Sequence, residues 1–269
     1  MSVERIEACF ARCRAENRPA LVIYLTTGDP SVADTLACAR AALASGADLL
    51  ELGVPFSDPT ADGPVIAAAS QRAIAGGASL RGALELAREI RQESEAPLVL
   101  FTYLNPVLAF GEDALPSALE ESGIDALLVV DLPPEEGASL RSRLSERKLG
   151  TIPLVAPTTG DERVRRIAGS ARGFVYYVSS TGVTGLGGAP LAEAAQRAKE
   201  IAGQFAVPVV VGFGVDGPEK ANALARAGVD GVVVGSAIVK ALAAEPTPEG
   251  RVRAVRERVT ALRRALDRD

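Results

Sequence analysis

The chain has 269 residues, 48% of them hydrophobic and 23% charged, with a formal net charge of −5. That length and balance fit one globular domain over residues 1–269 with a large core of its own, and the acidic surplus argues against a nucleic-acid or anionic-membrane surface. There is no histidine, which disfavours zinc sites and Ser-His or Cys-His nucleophiles and leaves acid–base work to carboxylates, tyrosines, lysines or cysteines.

The opening Met1-Ser-Val-Glu-Arg-Ile-Glu lacks the basic and apolar regions of a signal peptide, and no stretch reaches the ~18 apolar residues of a spanning helix. Cytoplasm is the expected compartment. Residues 2–16 set Ile6, Phe10 and Cys13 at helical spacing, predicting an amphipathic N-terminal helix. Eight short apolar runs follow: Leu21–Leu25, Leu49–Leu52, Leu98–Tyr103, Ala126–Val130, Thr151–Val155, Phe174–Val178, Val207–Val211 and Gly231–Val234. Their length suits strands buried on both faces. After the first, Asp29 and Pro30 read as N-cap and first-turn proline of a helix with Val32, Leu36 and Leu43 on its apolar face, stopped by Gly46. Ser79 opens another, with Leu80, Leu84, Ala87 and Ile90 on one side. Pro134–Arg147, Asp161–Ala168, Pro190–Ala202 and Pro218–Ala227 fill later gaps.

Strand–helix alternation repeated eight times predicts an α/β fold, a (β/α)8 TIM barrel with an extra N-terminal helix. An open doubly wound sheet would carry a glycine fingerprint in its first turn, which Thr26-Thr-Gly-Asp-Pro30 does not match. The gap between the second and third runs is the longest and holds an insertion after strand 2, with a further helix over Val65–Gly77. The tail, Glu249–Asp269, places Val252, Val255, Val259, Leu262 and Leu266 on one face and reads as a closing helix with a solvated arginine face. Cys9, Cys13 and Cys38 read as small buried apolar groups, and no metal is expected. No repeat shows beyond the strand–helix period.

The chemistry concentrates in Glu51-Leu-Gly-Val-Pro-Phe-Ser-Asp-Pro-Thr-Ala-Asp-Gly-Pro64, where Pro55, Pro59 and Pro64 stiffen a loop that holds Asp58 and Asp62. Glu51 points either into the barrel or out beneath the helices; at the inner mouth, burial would raise its pKa toward the range useful for proton transfer. Asp58 reads as a turn residue, while turn and catalytic readings of Asp62 stand level. Gly212, Gly214, Gly235 and Ser236 end the last two strands, where backbone N–H groups and a helix N-terminus make a phosphate site in many barrels; tight turns are the plainer alternative. Ser179–Pro190, rich in glycine and hydroxyls, suits a closing lid. Tyr24, Tyr103, Tyr176 and Tyr177 lie at strand ends, as ligand contacts or as core. None of the four lysines falls at a strand's C-terminal end, which disfavours a Schiff-base aldolase. Proton shuffling by two carboxylates on a phosphorylated substrate remains.

These motifs resemble the tryptophan synthase alpha chain family. The match covers Glu51–Pro64 and continues through Tyr103-Leu-Asn-Pro106, Asp131-Leu-Pro133, Gly182-Val-Thr-Gly185, Gly212-Phe-Gly214 and Gly235-Ser-Ala-Ile-Val-Lys240. It departs at Thr60, where leucine is usual, at Ala67, where glutamine is frequent, and in the lid. The resemblance implies retro-aldol cleavage of indole-3-glycerol phosphate to indole and glyceraldehyde 3-phosphate. Glu51 would be the acid–base residue and Asp62 the partner of the indole N–H. Tyr24, Tyr103, Tyr176 and Thr184 would contact substrate, and Gly185, Phe213, Gly214, Gly235 and Ser236 would hold the phosphate. It further implies an αββα tetramer with a beta chain that carries PLP, no cofactor in this chain, and partner contacts at Pro55, Phe56 and Asp58. A free-standing lyase and a non-catalytic barrel that activates a partner are the alternatives; the intact carboxylate pair speaks against the second.

Overall fold

The computed structural model describes residues 2–178, 191–212 and 214–267. Its strands are β1 (Ala20–Thr26), β2 (Leu49–Gly53), β3 (Leu98–Thr102), β4 (Ala126–Val129), β5 (Gly150–Thr151), β6 (Leu154–Val155), β7 (Val175–Val178), β8 (Val209–Gly212) and β9 (Gly231–Val234). All pair in parallel in the order β5-β4-β3-β2-β1-β9-β8-β7-β6. The two end pieces, β5 and β6, are one predicted strand interrupted at Ile152-Pro153. Its first half bonds to β4, and its second half to β7, so the curved sheet meets itself through that segment. Proline has no N–H to give to a ladder, but the Pro153 carbonyl still accepts from Tyr176 N–H at 3.0 Å.

Twelve helices surround the strands among the described residues: α1 (Val3–Ala15), α2 (Val32–Ala44), α3 (Pro64–Ala75), α4 (Leu80–Arg91), α5 (Leu104–Phe110), α6 (Leu115–Ser122), α7 (Ala138–Glu146), α8 (Asp161–Ala168), α9 (Leu191–Ala202), α10 (Pro218–Ala227), α11 (Ser236–Ala243) and α12 (Pro248–Leu266). The barrel, the N-terminal helix, the insertion helix α3 and the closing helix α12 follow the sequence expectation, and Ser79 caps α4 through Gly82 N–H. None of these helices is long and apolar enough to cross a membrane.

Four details differ. The N-cap of α2 is Ser31, whose hydroxyl accepts from Asp34 N–H, because Asp29 is buried and bound to Arg72 instead. The buried face of α2 is Thr35, Cys38, Ala39, Ala41 and Ala42, with Val32 left 41% exposed; small residues let the helix lie close to the sheet. Helix α7 starts at Ala138, after a turn through Pro133–Gly137. Helices α5 and α6, between β3 and β4, carry short apolar spacings that gave no clear period.

Alternate residues of each strand split the core in two, as period two requires. Leu50, Leu52, Leu98, Leu100, Val209, Val211, Val232 and Val234 pack outward beneath the helices. Val22, Tyr24, Leu49, Val99, Phe101, Leu128, Tyr176, Val210 and Val233 fill the interior. Helix α1 plugs the N-terminal end with Ile6, Cys9, Phe10 and Cys13, the Phe10 ring lying 5.8 Å from that of Phe174.

A three-residue repeat also marks that end: Gly46-Ala-Asp48, Gly123-Ile-Asp125 and Gly228-Val-Asp230. Each glycine has positive φ, at +104°, +77° and +80°, a conformation that costs other residues energy. Each aspartate precedes a strand and accepts a 2.9 Å hydrogen bond from the N–H at or near the start of the strand before it, from Leu21, Leu98 and Val209 respectively. The fold therefore contains an internal repeat that the helix and strand periods concealed.

Candidate active site

Glu51 shares the inward face of β2 with Leu49 and Gly53, so the ambiguity about its direction resolves inward. In register it lies between Tyr24 of β1 and Val99 of β3. The side chain is 0% exposed, and neither carboxylate oxygen has a hydrogen-bond partner among the described residues. An ionised carboxylate in that position would forfeit its hydration with nothing in return. Burial accordingly pushes its pKa up to about 8.

A chamber is lined by Tyr24, Asp62, Gly63, Val65, Ile66, Phe101, Tyr176, Gly214, Val215, Val233, Gly235 and Ser236; Glu51 is not itself in the lining but is the register partner of Tyr24, which is. Other cavities, of about 230 Å³ outside the barrel wall beside α7 and about 760 Å³ at the N-terminal end, are larger. Neither is lined by Asp62 or by the tyrosines that flank Glu51, so volume is the poorer guide here.

Asp62 arrives on the insertion. Thr60 N–H bonds to Asp58 O at 2.9 Å, and Asp62 N–H bonds to Pro59 O at 3.1 Å, winding the loop into successive turns before Gly63 caps α3. The helix is tied down by Arg72, whose guanidinium donates two 2.8 Å bonds to Asp29 after β1. Burial raises the Asp62 pKa to about 6, partly opposed by a hydrogen bond from the Tyr103 hydroxyl. The Tyr103 oxygen also accepts from Ala61 N–H at 3.1 Å, and its ring lies 5.1 Å from Phe56. Tyr103 thus holds the loop that carries Asp62.

Tyr24 and Tyr176 flank Glu51 on β1 and β7. Burial raises both phenol pKa values, and the fields of Glu51 and Asp62 add to the effect. Each ring rests over a glycine at the end of the neighbouring strand. A Cβ on Gly53 would fall 2.1 Å from Tyr24 Oη, and one on Gly212 would fall 2.2 Å from Tyr176 Oη. Gly212, expected among the phosphate donors, is therefore a seat for a ring and a member of the ladder between β7 and β8.

Across the chamber, Gly214 has φ of +78° with open space where a Cβ would stand. Lys220 Nζ donates to its carbonyl at 3.0 Å and to Asp216 at 2.8 Å. Gly235 is the N-cap of α11 and Ser236 its first residue. First-turn N–H groups of a helix have no intrahelical acceptor and favour anions. The chamber therefore presents the Asp62 carboxyl, with that of Glu51 beside its Tyr24 wall, both raised by burial, and an anion-friendly rim opposite them. That set can exchange a proton with an apolar ligand ring and anchor a phosphate.

Of the residues singled out from sequence, Glu51, Asp62, Tyr24, Tyr176, Gly214, Gly235 and Ser236 come together here, with Tyr103 bracing Asp62. Thr184, Gly185 and Phe213 lie outside the described residues. Pro55 is buried, Phe56 is half-buried and Asp58 is exposed, so Phe56 and Asp58 are the ones that offer side chains outward. Phe101, Val233, Ile66 and Gly53 were missed; alternation from Val99 to Phe101 and from Glu51 to Gly53 is the signal that could have found two of them.

Cys9, Cys13 and Asp48 gather at the opposite end, with their ligand atoms within 4.8 Å of one another. The cysteines are buried, as read from sequence. The Asp48 carboxylate is already engaged by Arg12, Arg18, Arg263 and Leu21 N–H, an array that opposes a cation.

A family model described as tryptophan synthase alpha chain matches residues 10–267. The tryptophan synthase alpha chain of Citrifermentans bemidjiense is 46% identical over 238 residues, 88% of this chain and 89% of that one. That of Xanthomonas euvesicatoria pv. vesicatoria is 44% identical over 271 residues, covering 98% and 99%. Among solved structures, tryptophan synthase subunit alpha from Legionella pneumophila str. Paris superposes with a TM-score of 0.89 at 34% identity, over 99% of each chain. A structure of Mycobacterium tuberculosis tryptophan synthase gives 0.89 at 37% identity, over 98% of this chain and 99% of that one.

Proposed function

The chain belongs to the tryptophan synthase alpha chain family, and from that membership we propose that it cleaves indole-3-glycerol phosphate to indole and glyceraldehyde 3-phosphate as a single barrel domain. The observation that carries this reading is Glu51, a carboxyl group with no partner among the described residues, raised to about 8 and buried beside Tyr24 of the chamber wall. At neutral pH it is a neutral acid that can give up a proton.

In the proposed reaction Glu51 donates its proton to C3 of the indole ring. The Asp62 carboxylate accepts a hydrogen bond from the ring N–H and stabilises the iminium-like charge that develops there. The Glu51 carboxylate then takes the proton from the hydroxyl on the carbon bonded to the ring. That carbon becomes the aldehyde, the C–C bond breaks, and its electron pair collapses into the iminium to restore aromatic indole. Glu51 ends protonated, as it began, and no cofactor of this chain enters the sequence. The first turn of α11 with Gly214 would hold the phosphate, and Tyr24 and Tyr176 would bound the ring.

Family membership brings a beta chain as partner. We place PLP in that chain, the pair in an αββα tetramer, the contact at Phe56 and Asp58, and the assembly in the cytoplasm. Indole release measured with and without a PLP-dependent beta chain tests the reading. Cleavage that the beta chain accelerates is the expected result; cleavage indifferent to it points to a free-standing lyase, and none in either condition overturns the reaction.

A further inference from the structure

We propose that Gly53 sets how large an aromatic ring the chamber accepts, by giving Tyr24 a place to lie; the inference rests on the reaction proposed above. Tyr24 and Glu51 are register partners, as are Thr26 and Gly53, so Tyr24 and Gly53 share the inward surface of adjacent strands. Side chains in strands lean along the strand direction, and the phenol of Tyr24 leans over Gly53. A Cβ there would stand 2.1 Å from Oη, 2.5 Å from Cζ and 2.7 Å from Cε2. Those distances are far inside van der Waals contact, and three atoms of a rigid ring cannot yield separately.

The ring has one direction in which to move. Phe101 stands edge-on to it at 5.3 Å with an interplanar angle of 80°. Its own Cβ lies 3.3 Å from where a Cβ on Gly235 would be. The side chain is only 5% exposed. Open space remains on the chamber side, toward Asp62, where the ring of a ligand would bind. A methyl group at position 53 therefore pushes Tyr24 into the ligand's volume while leaving Gly235 and Ser236 untouched. Gly53 does not have positive φ, so alanine there adds no backbone strain and the effect is one of space.

The test pairs Gly53→Ala with Tyr24→Leu, whose shorter side chain does not reach position 53. Gly53→Ala keeps its thermal midpoint and its calorimetric affinity for glycerol 3-phosphate, yet loses about 100-fold in kcat/KM for indole-3-glycerol phosphate, the scale expected of an ångström-sized displacement. Adding Tyr24→Leu recovers at least about tenfold of that loss, and Tyr24→Leu alone admits substrates substituted on the six-membered ring that the natural chain rejects. Gly53→Ala at nearly full activity, or a double variant no better than the single one, overturns the proposal. Affinity for a non-cleavable indolyl alkyl phosphate, measured on the same variants, separates the two readings. If the natural chain binds it but cleaves nothing, the reaction fails while the seat is still judged by loss and recovery of binding.

Discussion

Two carboxylates three residues apart, Asp48 just before β2 and Glu51 at its middle, have opposite surroundings. Both are buried. Burial alone would raise each, but at Asp48 Arg18, Leu21 N–H and Arg263 reverse the shift and hold the carboxyl below its ordinary range. At Glu51 no described residue opposes burial, and the group rises to about 8. The N-terminal end of the barrel spends its polar groups on one another, while the C-terminal end leaves them for a ligand. A satisfied buried charge specifies structure, and an unsatisfied one marks where chemistry is done.

Exchanging the ends' chemistry should separate activity from stability. Glu51→Gln removes the proposed acid–base group and should lower kcat by roughly 10²–10⁴-fold, the scale of a positioned general acid–base, in a chain that still folds. The sign of its stability effect is the sharper test. A carboxyl whose folded pKa lies above its unfolded value stabilises least when ionised, so the natural chain loses stability as pH climbs from about 4.5 to about 8. Glu51→Gln should therefore match the natural chain in urea midpoint near pH 5 and exceed it at pH 9, by on the order of a few kcal/mol. A variant less stable at pH 9 would mean that Glu51 has a partner after all.

Asp48→Ala should do the reverse. Arg18 and Arg263 are largely buried around it, and removing the shared acceptor leaves them uncompensated at a cost of about 3–5 kcal/mol. Urea unfolding should show that loss, while kcat of the folded fraction stays within about twofold. A large fall in kcat at full stability would dissolve the division between the two ends.

The same division explains what was legible in sequence. Strand runs buried on both faces announce themselves as short apolar stretches, so all eight positions emerged, as did the insertion and its carboxylates. The break at Pro153 was hidden because a strand can change partners without changing composition. Ser31 displaced Asp29 as a cap because Asp29 has a long-range partner in Arg72, and local signals cannot see a residue 43 positions away. Gly212 misled, and Gly53 was passed over, for a related reason. A glycine that frees a backbone N–H and one that makes room for a ring look identical in sequence, and only the position of Tyr24 or Tyr176 tells them apart. The Gly-x-Asp triplets needed the strand starts to be known before their aspartates could be matched to N–H groups one strand back.

The smallest expected effect probes how the C-terminal end of the barrel keeps Asp62 usable in the proposed reaction. With Asp62 near 6 and Glu51 near 8, the proposed reaction needs the first ionised and the second protonated, so kcat/KM should follow a bell with limbs near those values. Tyr103 opposes the rise of Asp62 by donating to its carboxylate, and the same oxygen accepts from Ala61 N–H. In Tyr103→Phe both bonds vanish while the ring against Phe56 remains. Removing a donor from the charged form raises a carboxyl's pKa, so the acid limb should move upward by a few tenths of a pH unit to about one, and the alkaline limb should stay in place. Rate at the optimum should fall only several-fold, because Asp62 still ionises within the window. An acid limb that does not move would assign it to a group other than Asp62. Movement of the alkaline limb instead would show that the two carboxyls titrate as one coupled pair, which would make the unpartnered state of Glu51 a property of the chamber as a whole and not of β2 alone.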